Sequence, residues 1–186
     1  MKTVFAIAAT AATFAATPAL ADAPVGPRVE VLAGYDKVSA DLGNGISLSR
    51  DGAAFAANLG YDVALGSVIS AGVDAEVGVS TTKINYTVGA TAGQTKAARD
   101  LYIGGRLTAA VSPTVNLYGK VGYTNARLTD EFGGTKVSGN GDGVRLGVGA
   151  QVALSGPVYG LLEYRYSNYE ADMTRNQVLA GVGFRF

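Results

Sequence analysis

The hydrophobic positions of this chain recur with a period of two in eight separate stretches. In each stretch, alternate residues are apolar, and the residues between them are mostly glycine, polar or charged. Because successive side chains of a β-strand point to opposite faces, this period predicts strands with one apolar and one polar face. No long segment with a helical period interrupts them. The eight predicted strands cover residues 29–36, 53–63, 69–80, 100–109, 115–124, 144–154, 158–167 and 177–186.

The connections between these strands fall into two length classes that alternate along the chain. Short turns at one end of antiparallel strands and long loops at the other are typical of bacterial outer-membrane barrels. Asn44 and Gly45 form a two-residue hairpin signal, so the first long loop could itself be an extended hairpin. The predicted tight turns are residues 65–67, 112–114 and 155–157, and the predicted long loops are about 38–50, 82–96, 128–142 and 168–174.

Residue types on the two faces decide which face of the barrel is outside. A soluble barrel of the lipocalin kind also alternates, but it turns its apolar face inward around a ligand. Here the apolar face is uncharged and carries aromatic residues near the strand ends, as the two interfaces of a membrane require. The pattern therefore predicts an all-β, eight-stranded antiparallel up-and-down transmembrane β-barrel. The predicted aromatic girdles contain Tyr35, Phe55, Tyr123, Tyr164 and Tyr166 toward the long loops, and Tyr61, Phe184 and Phe186 toward the short turns.

The polar face combines glycine with side chains of both charge signs. An eight-stranded barrel has a lumen just wide enough to be filled by side chains, and unpaired buried charges are costly. We therefore expect an ionic network in the lumen, with Glu30 meeting Arg185, and Asp74 or Glu76 meeting Arg106. Glu163 is expected to meet Arg145, Arg165 or Lys120. The predicted network comprises Glu30, Asp74, Glu76, Arg106, Lys120, Arg145, Glu163, Arg165 and Arg185, with Asp62 on the same face.

Composition excludes several kinds of chemistry. The chain has no histidine and no cysteine, which rules out Ser-His and Cys-His nucleophile pairs, imidazole-bound zinc or haem, and disulfides. Lysine plus arginine and aspartate plus glutamate each number 15, so no basic excess points to a nucleic acid. We therefore predict no catalytic site, no cofactor, no metal and no nucleic-acid partner.

The N-terminus has the features of an export signal. Lys2 precedes an apolar run over residues 4–16, and Ala19 and Ala21 are the small residues of a cleavage site. Cleavage after Ala21 would divide the chain into a signal peptide, residues 1–21, and an outer-membrane barrel, residues 22–186. An uncleaved anchor is the alternative, because residues 3–21 carry no charge.

With these features, the sequence resembles the small eight-stranded outer-membrane barrels of Gram-negative bacteria, of the OmpA/OmpX and opacity-like surface antigen type, often labelled porin family. The resemblance rests on the leader, the eight strands, the loop alternation and the aromatic last strand. It implies a place in the outer membrane among lipid and lipopolysaccharide, and assembly by the barrel-assembly machinery. It further implies that Phe186, supported by Phe184 and Val182, is the assembly signal.

Three functions compete on this basis. The resemblance implies a structural or surface-interaction role, adhesin-like or antigen-like, carried by four extracellular loops. A narrow diffusion channel is the alternative, although open channels belong to barrels of ~16–18 strands. An enzyme is disfavoured, because the enzymatic barrels of this type depend on histidine. The charged residues of the predicted loops are expected to be solvated, and they do not specify a partner. These residues are Lys83, Lys96, Arg99, Asp130, Glu131, Lys136, Asp142, Glu170 and Asp172.

Overall fold

The fold is given by a computed structural model that describes residues 21–41, 47–88, 91–132, 135–170 and 173–186. The predicted signal peptide, apart from Ala21, and the Asn44 and Gly45 signal lie outside the described residues. No helix within the described part of the chain is long and apolar enough to cross a membrane. The described residues form nine antiparallel strands: β1 (Gly26–Asp41), β2 (Ser47–Ala64), β3 (Ile69–Ser80), β4 (Lys83–Val88), β5 (Thr91–Ala110), β6 (Val115–Phe132), β7 (Thr135–Ser155), β8 (Val158–Tyr169) and β9 (Met173–Arg185).

The strands close into one barrel with eight positions in its wall. β3 and β4 occupy the same position, because both pair with β5, at residues 100–109 and 91–96 respectively. Thr81 and Thr82 separate them, and Thr81 still exchanges hydrogen bonds with the backbone of Ala53 on β2. The pairing of β3 with β5 completes the ring, in which the first strand, β1, pairs with the last, β9. The predicted eight-stranded antiparallel barrel is confirmed.

The apolar face of every predicted strand points outward. Ile103 and Val73 are each 63% exposed, whereas Glu30 and Asp74 on the polar face are each 2% exposed. In water this arrangement would be strongly unfavourable, because burial of apolar surface is the main driving force of folding. In the hydrocarbon of a membrane, an apolar exterior is favourable. Closure of the barrel also leaves no unpaired strand edge in the lipid.

Three of the predicted long loops are wrong in extent. Most of residues 82–96 belongs to β4 and the start of β5, and residues 128–142 continue β6 and β7 as one hairpin that pairs Phe132 with Thr135. The first predicted loop likewise contains the end of β1 and the start of β2. These extensions can contain polar residues, because antiparallel pairing forms the backbone hydrogen bonds whatever the side chains are. The long-loop end of the barrel therefore consists largely of protruding β-hairpins.

The opposite end is closed by short connections, as predicted. Leu65 donates its amide hydrogen to the carbonyl of Ile69, and Val111 bonds Val115 in the same way. In the β7–β8 turn, Gly156 has a φ of +53°, which side-chain-bearing residues rarely adopt. At the same end, the amide of Phe186 donates to the carbonyl of Pro27, so the final residue is tied to β1.

Candidate functional site in the barrel lumen

Among the described residues, ionic side chains of both signs, equal in number, point into the lumen. All except Arg185 belong to buried residues, and the side chain of Arg185 is 16% exposed. Each of the acidic side chains forms at least one ion pair. The acidic residues are Glu30, Asp36, Asp62, Asp74, Glu76, Asp100 and Glu163, and the basic residues are Arg28, Arg106, Lys120, Arg145, Arg165, Arg175 and Arg185.

The first cluster lies toward the short turns and centres on Glu30 and Asp74. Arg106 donates two hydrogen bonds of 3.0 Å to the carboxylate of Glu30 and one of 2.9 Å to Asp74. Arg28 lies between the same carboxylates and also contacts both. Asn58 donates to Glu30 at 2.7 Å, so the carboxylates are held by hydrogen bonds as well as by charge. The predicted contact of Arg106 with Asp74 is present.

The predicted Glu30–Arg185 pair is wrong. Arg185 lies opposite Arg28 across the β1–β9 seam, and Asp62 bridges the two guanidinium groups at 2.6 Å and 2.9 Å. The prediction was right that Glu30 lies at the seam between β1 and β9, where it is opposite Gly183. Two like charges at this seam require a shared carboxylate, and Asp62 on β2 supplies it.

The middle of the lumen is organised around Glu76. Arg165 reaches this carboxylate with two bonds of 2.6 Å, Arg145 with one of 3.1 Å, and Lys120 approaches to 3.5 Å. The carboxylate of Glu163 forms an ion pair with the ammonium group of Lys120 at 2.7 Å and a second ion pair with Arg165. Of the three partners predicted for Glu163, the structure brings Lys120 and Arg165 to it, whereas Arg145 pairs with Glu76 and Asp100.

A third cluster closes the network toward the hairpins. Arg175 on β9 donates to Asp36 at 2.6 Å and 2.8 Å and to Asp100 at 2.8 Å. Asp100 also pairs with Arg145, which links this cluster to Glu76. The ion pairs therefore run through the described lumen from the short turns to the base of the hairpins.

Many of these bonds cross the lumen instead of joining neighbouring strands. In the ring, β8 and β3 lie on opposite walls, as do β9 and β5. Arg165–Glu76 and Arg175–Asp100 join these two pairs of strands, and Arg106–Glu30 joins β5 to β1. Such ion pairs span the lumen at three levels, and their side chains are almost inaccessible to water.

Tyrosines complete the packing of the lumen, and each stands over an inward-facing glycine. Tyr159 pairs with Gly183 in the sheet and Tyr118 pairs with Gly149. A Cβ on either glycine would collide with the ring of its tyrosine. Because the glycines leave this space, the two hydroxyls reach Glu30 and Glu163, at 2.8 Å and 2.5 Å. The ring of Tyr118 also stacks 4.2 Å below the guanidinium of Arg106.

Sequence reasoning missed several members of the network. Four of them occupy the alternate strand positions that form the polar face, and this spacing alone was enough to place them in the lumen. They are Asp36, Asp100, Tyr118 and Tyr159. Arg28 and Arg175 lie beyond the predicted strand ends. Because the real strands are longer than the alternation indicates, their inward direction could not be deduced from the predicted boundaries.

Predicted girdle residues lie on the outer surface, at exposures from 37% for Tyr166 and Phe184 to 71% for Phe186. Three tyrosine hydroxyls toward the hairpins donate to polar groups on the neighbouring strand. Tyr35 bonds Asp51, Tyr123 bonds Asp142 and Tyr164 bonds Asn176. A ring in hydrocarbon with its hydroxyl directed to a polar rim is the arrangement that tyrosine adopts at a membrane interface.

The predicted assembly-signal residues share the outer face of β9. Val182 and Phe184 are exposed there, and Phe186 is exposed just beyond the end of the strand. The rings of Phe184 and Phe186 meet edge to face with centroids 4.8 Å apart. These apolar side chains therefore form a continuous exposed edge next to the short turns.

The fold and the inverted distribution of residues define the class of integral membrane β-barrels. The sequence matches the family described as "Outer membrane protein beta-barrel domain" over residues 6–186. The chain belongs to this family and is a protein of the bacterial outer membrane. A comparison with curated proteins gives no match.

Solved structures with the same fold are small outer-membrane barrels. Neisserial surface protein A is 20% identical, with a TM-score of 0.64 over 87% of this chain and 97% of that one. The attachment invasion locus protein Ail of Yersinia pestis is 16% identical, with a TM-score of 0.57 over 87% and 99%. The N-terminal β-barrel domain of Pseudomonas aeruginosa OprF is 13% identical, with a TM-score of 0.51 over 86% and 97%.

Proposed function

We propose that this protein is a sealed outer-membrane anchor that displays its long β-hairpins at the cell surface for a structural or surface-interaction role. One observation carries the proposal: the charged groups of the lumen pair with one another across the barrel, at three levels, and are buried. A solute pathway needs accessible polar groups, and here these groups are occupied by each other.

The proposal includes the route by which the chain reaches its place. Residues 1–21 act as a cleaved signal peptide, and residues 22–186 form the mature barrel. The barrel-assembly machinery recognises the terminal strand through Val182, Phe184 and Phe186. The mature barrel is surrounded by outer-membrane lipid and, in the outer leaflet, by lipopolysaccharide.

The protein is proposed not to be an enzyme. Histidine and cysteine are absent from the sequence, and the buried carboxylates are neutralised by arginine and lysine. Such carboxylates are poorly placed to act as general bases, because they are buried and already paired with cations. The paired residues are therefore assigned a stabilising role.

Surface display is tested by inserting a short epitope between Phe132 and Thr135, which pair with each other in the β6–β7 hairpin. We expect an antibody to label intact cells that carry this insertion. The matched control places the same epitope at Gly156, in the β7–β8 short turn, and should be labelled only after the outer membrane is permeabilised. Labelling of intact cells through the turn and not through the hairpin would contradict the proposal.

A further inference from the structure

Two arginine side chains lie side by side on the outer surface, at the base of the hairpins. Arg99 on β5 and Arg127 on β6 are directly opposite each other in the sheet. Both are exposed, whereas the adjacent Asp100 and Ala126 are buried, so both arginines point outward. Like charges directly opposite in an antiparallel pair destabilise it. A bound anion would offset this repulsion.

No other described residue supplies that anion through a hydrogen bond or an ion pair. Asp142 on β7 lies opposite Asn125, but its carboxylate accepts bonds from Tyr123 at 2.5 Å and from Asn125 at 2.6 Å. Lys37, another outward cation near the hairpins, is in a different situation because it lies opposite Asp51 in the register. Two unneutralised cations therefore face outward on β5 and β6.

Their height corresponds to the headgroup layer of the membrane. Arg127 lies four residues beyond Tyr123 on the same face of β6, which is ~14 Å along a strand that rises ~3.4 Å per residue. With a tilt of ~45°, this is about 10 Å above the tyrosine. Flexible arginine side chains extend from such a position to the phosphates at the boundary of the hydrocarbon.

An apolar groove begins directly below the two arginines. It has a volume of about 750 Å³ on the outer surface of β2, β3, β5 and β6. Leu101 and Asn125, each two residues from an arginine on the same face, line its upper end. Ala75 forms part of its floor because this small side chain lies between Leu59 and Ile103 in adjacent strands.

We propose that Arg99 and Arg127 bind the phosphate groups of a phosphorylated glycolipid of the outer leaflet, with one of its acyl chains in the groove below. This site rests on the proposed display of the hairpins at the cell surface, which puts the arginines in the outer leaflet. Arginine matches the charge and bidentate geometry of phosphate, and the groove matches the apolar chain. One occupant satisfies both features.

The test is a titration of the folded full-length barrel in detergent micelles with lipid A that carries two phosphates, followed by native mass spectrometry. R99Q/R127Q should weaken binding about tenfold or more, because each charge-assisted hydrogen bond contributes strongly. K37Q is the matched control and should change binding by less than about twofold, as expected for an exposed charge. Equal binding by R99Q/R127Q and the parent would overturn the proposal.

The source of the phosphate and the role of the groove are tested separately. Inorganic phosphate should fail to compete with lipid A at equal concentration, and A75L should weaken lipid A binding by filling the groove. Competition by free phosphate, or unchanged binding by A75L, would overturn the lipid site. In micelles the protein has no outer leaflet, so failure here is distinguishable from failure of surface display, which the epitope experiment measures.

Discussion

At the scale of single residues, Glu76 is the carboxylate on which Lys120, Arg145 and Arg165 converge. E76Q keeps the shape of the side chain but removes the charge that neutralises these cations. Breaking a buried ion pair in this way costs about 3–5 kcal/mol. We expect a loss of that size in the free energy of unfolding, measured by urea denaturation in phospholipid vesicles.

The matched control for this substitution is E170Q, which makes the same chemical change at an exposed residue after β8. Its effect should remain within about 0.5 kcal/mol. Equal stability of E76Q and E170Q would mean that the central cluster does not contribute to the stability of the barrel.

Gly183 tests the packing of tyrosine over glycine. G183A introduces a Cβ into the space occupied by the ring of Tyr159, and such overpacking costs about 1–3 kcal/mol. G139A is the control, because no atom lies within 4 Å of the added Cβ. We expect G183A to lower the urea midpoint and G139A to leave it unchanged. Identical midpoints would contradict the close packing of Tyr159.

At this scale, the sequence predicts the direction of a side chain better than its partner, because long side chains can reach several partners. The face to which each of the predicted network residues points follows from parity, because a strand gives every second residue the same direction. The partner of each charge does not follow from parity. Arg106 reaches Glu30 and Asp74, and Asp62 joins Arg28 to Arg185, because long side chains select partners across the lumen as well as beside them.

At the scale of elements, the terminal strand closes the barrel and is proposed to carry the assembly signal. β9 closes the barrel by pairing with β1 along almost its whole length, and its outer face presents Val182 and Phe184 next to Phe186. F186A should therefore reduce the amount of folded barrel in the outer membrane of cells. Unassisted refolding into detergent micelles should change little, because Phe186 lies outside the sheet.

The control for this effect is F55A, which removes the same ring from the outer face of β2. The fraction of folded barrel is measured from its heat-dependent mobility in gel electrophoresis. An equal loss of folded barrel in cells for F55A and F186A would indicate a general effect of lost apolar surface, and would contradict a specific signal in β9.

Element boundaries were the least predictable feature. Alternation of apolar and polar residues reveals only the part of a strand that has lipid on one side and the lumen on the other. Beyond that zone neither face has to be apolar, so β6 and β7 continue through residues 128–142, where the sequence does not alternate. The short turns were correctly located because Gly and Pro mark them directly, as Gly156 illustrates with its positive φ.

At the scale of the whole molecule, the barrel is a soluble fold turned inside out. Its apolar side chains lie on the outside, where they contact lipid, and its charged side chains lie inside, where they pair with one another. The balance of charges within the lumen follows from this inversion, since an excess of either sign would leave an unpaired charge away from water.

Conductance in a planar lipid bilayer tests the proposed sealed lumen most directly. The purified barrel should give no steady open state, because ion pairs cross the lumen at three levels. E76Q, which weakens the middle level, is the informative comparison and should raise the frequency of brief openings. A steady ohmic conductance from the unaltered protein would contradict the sealed lumen and would favour the narrow diffusion channel.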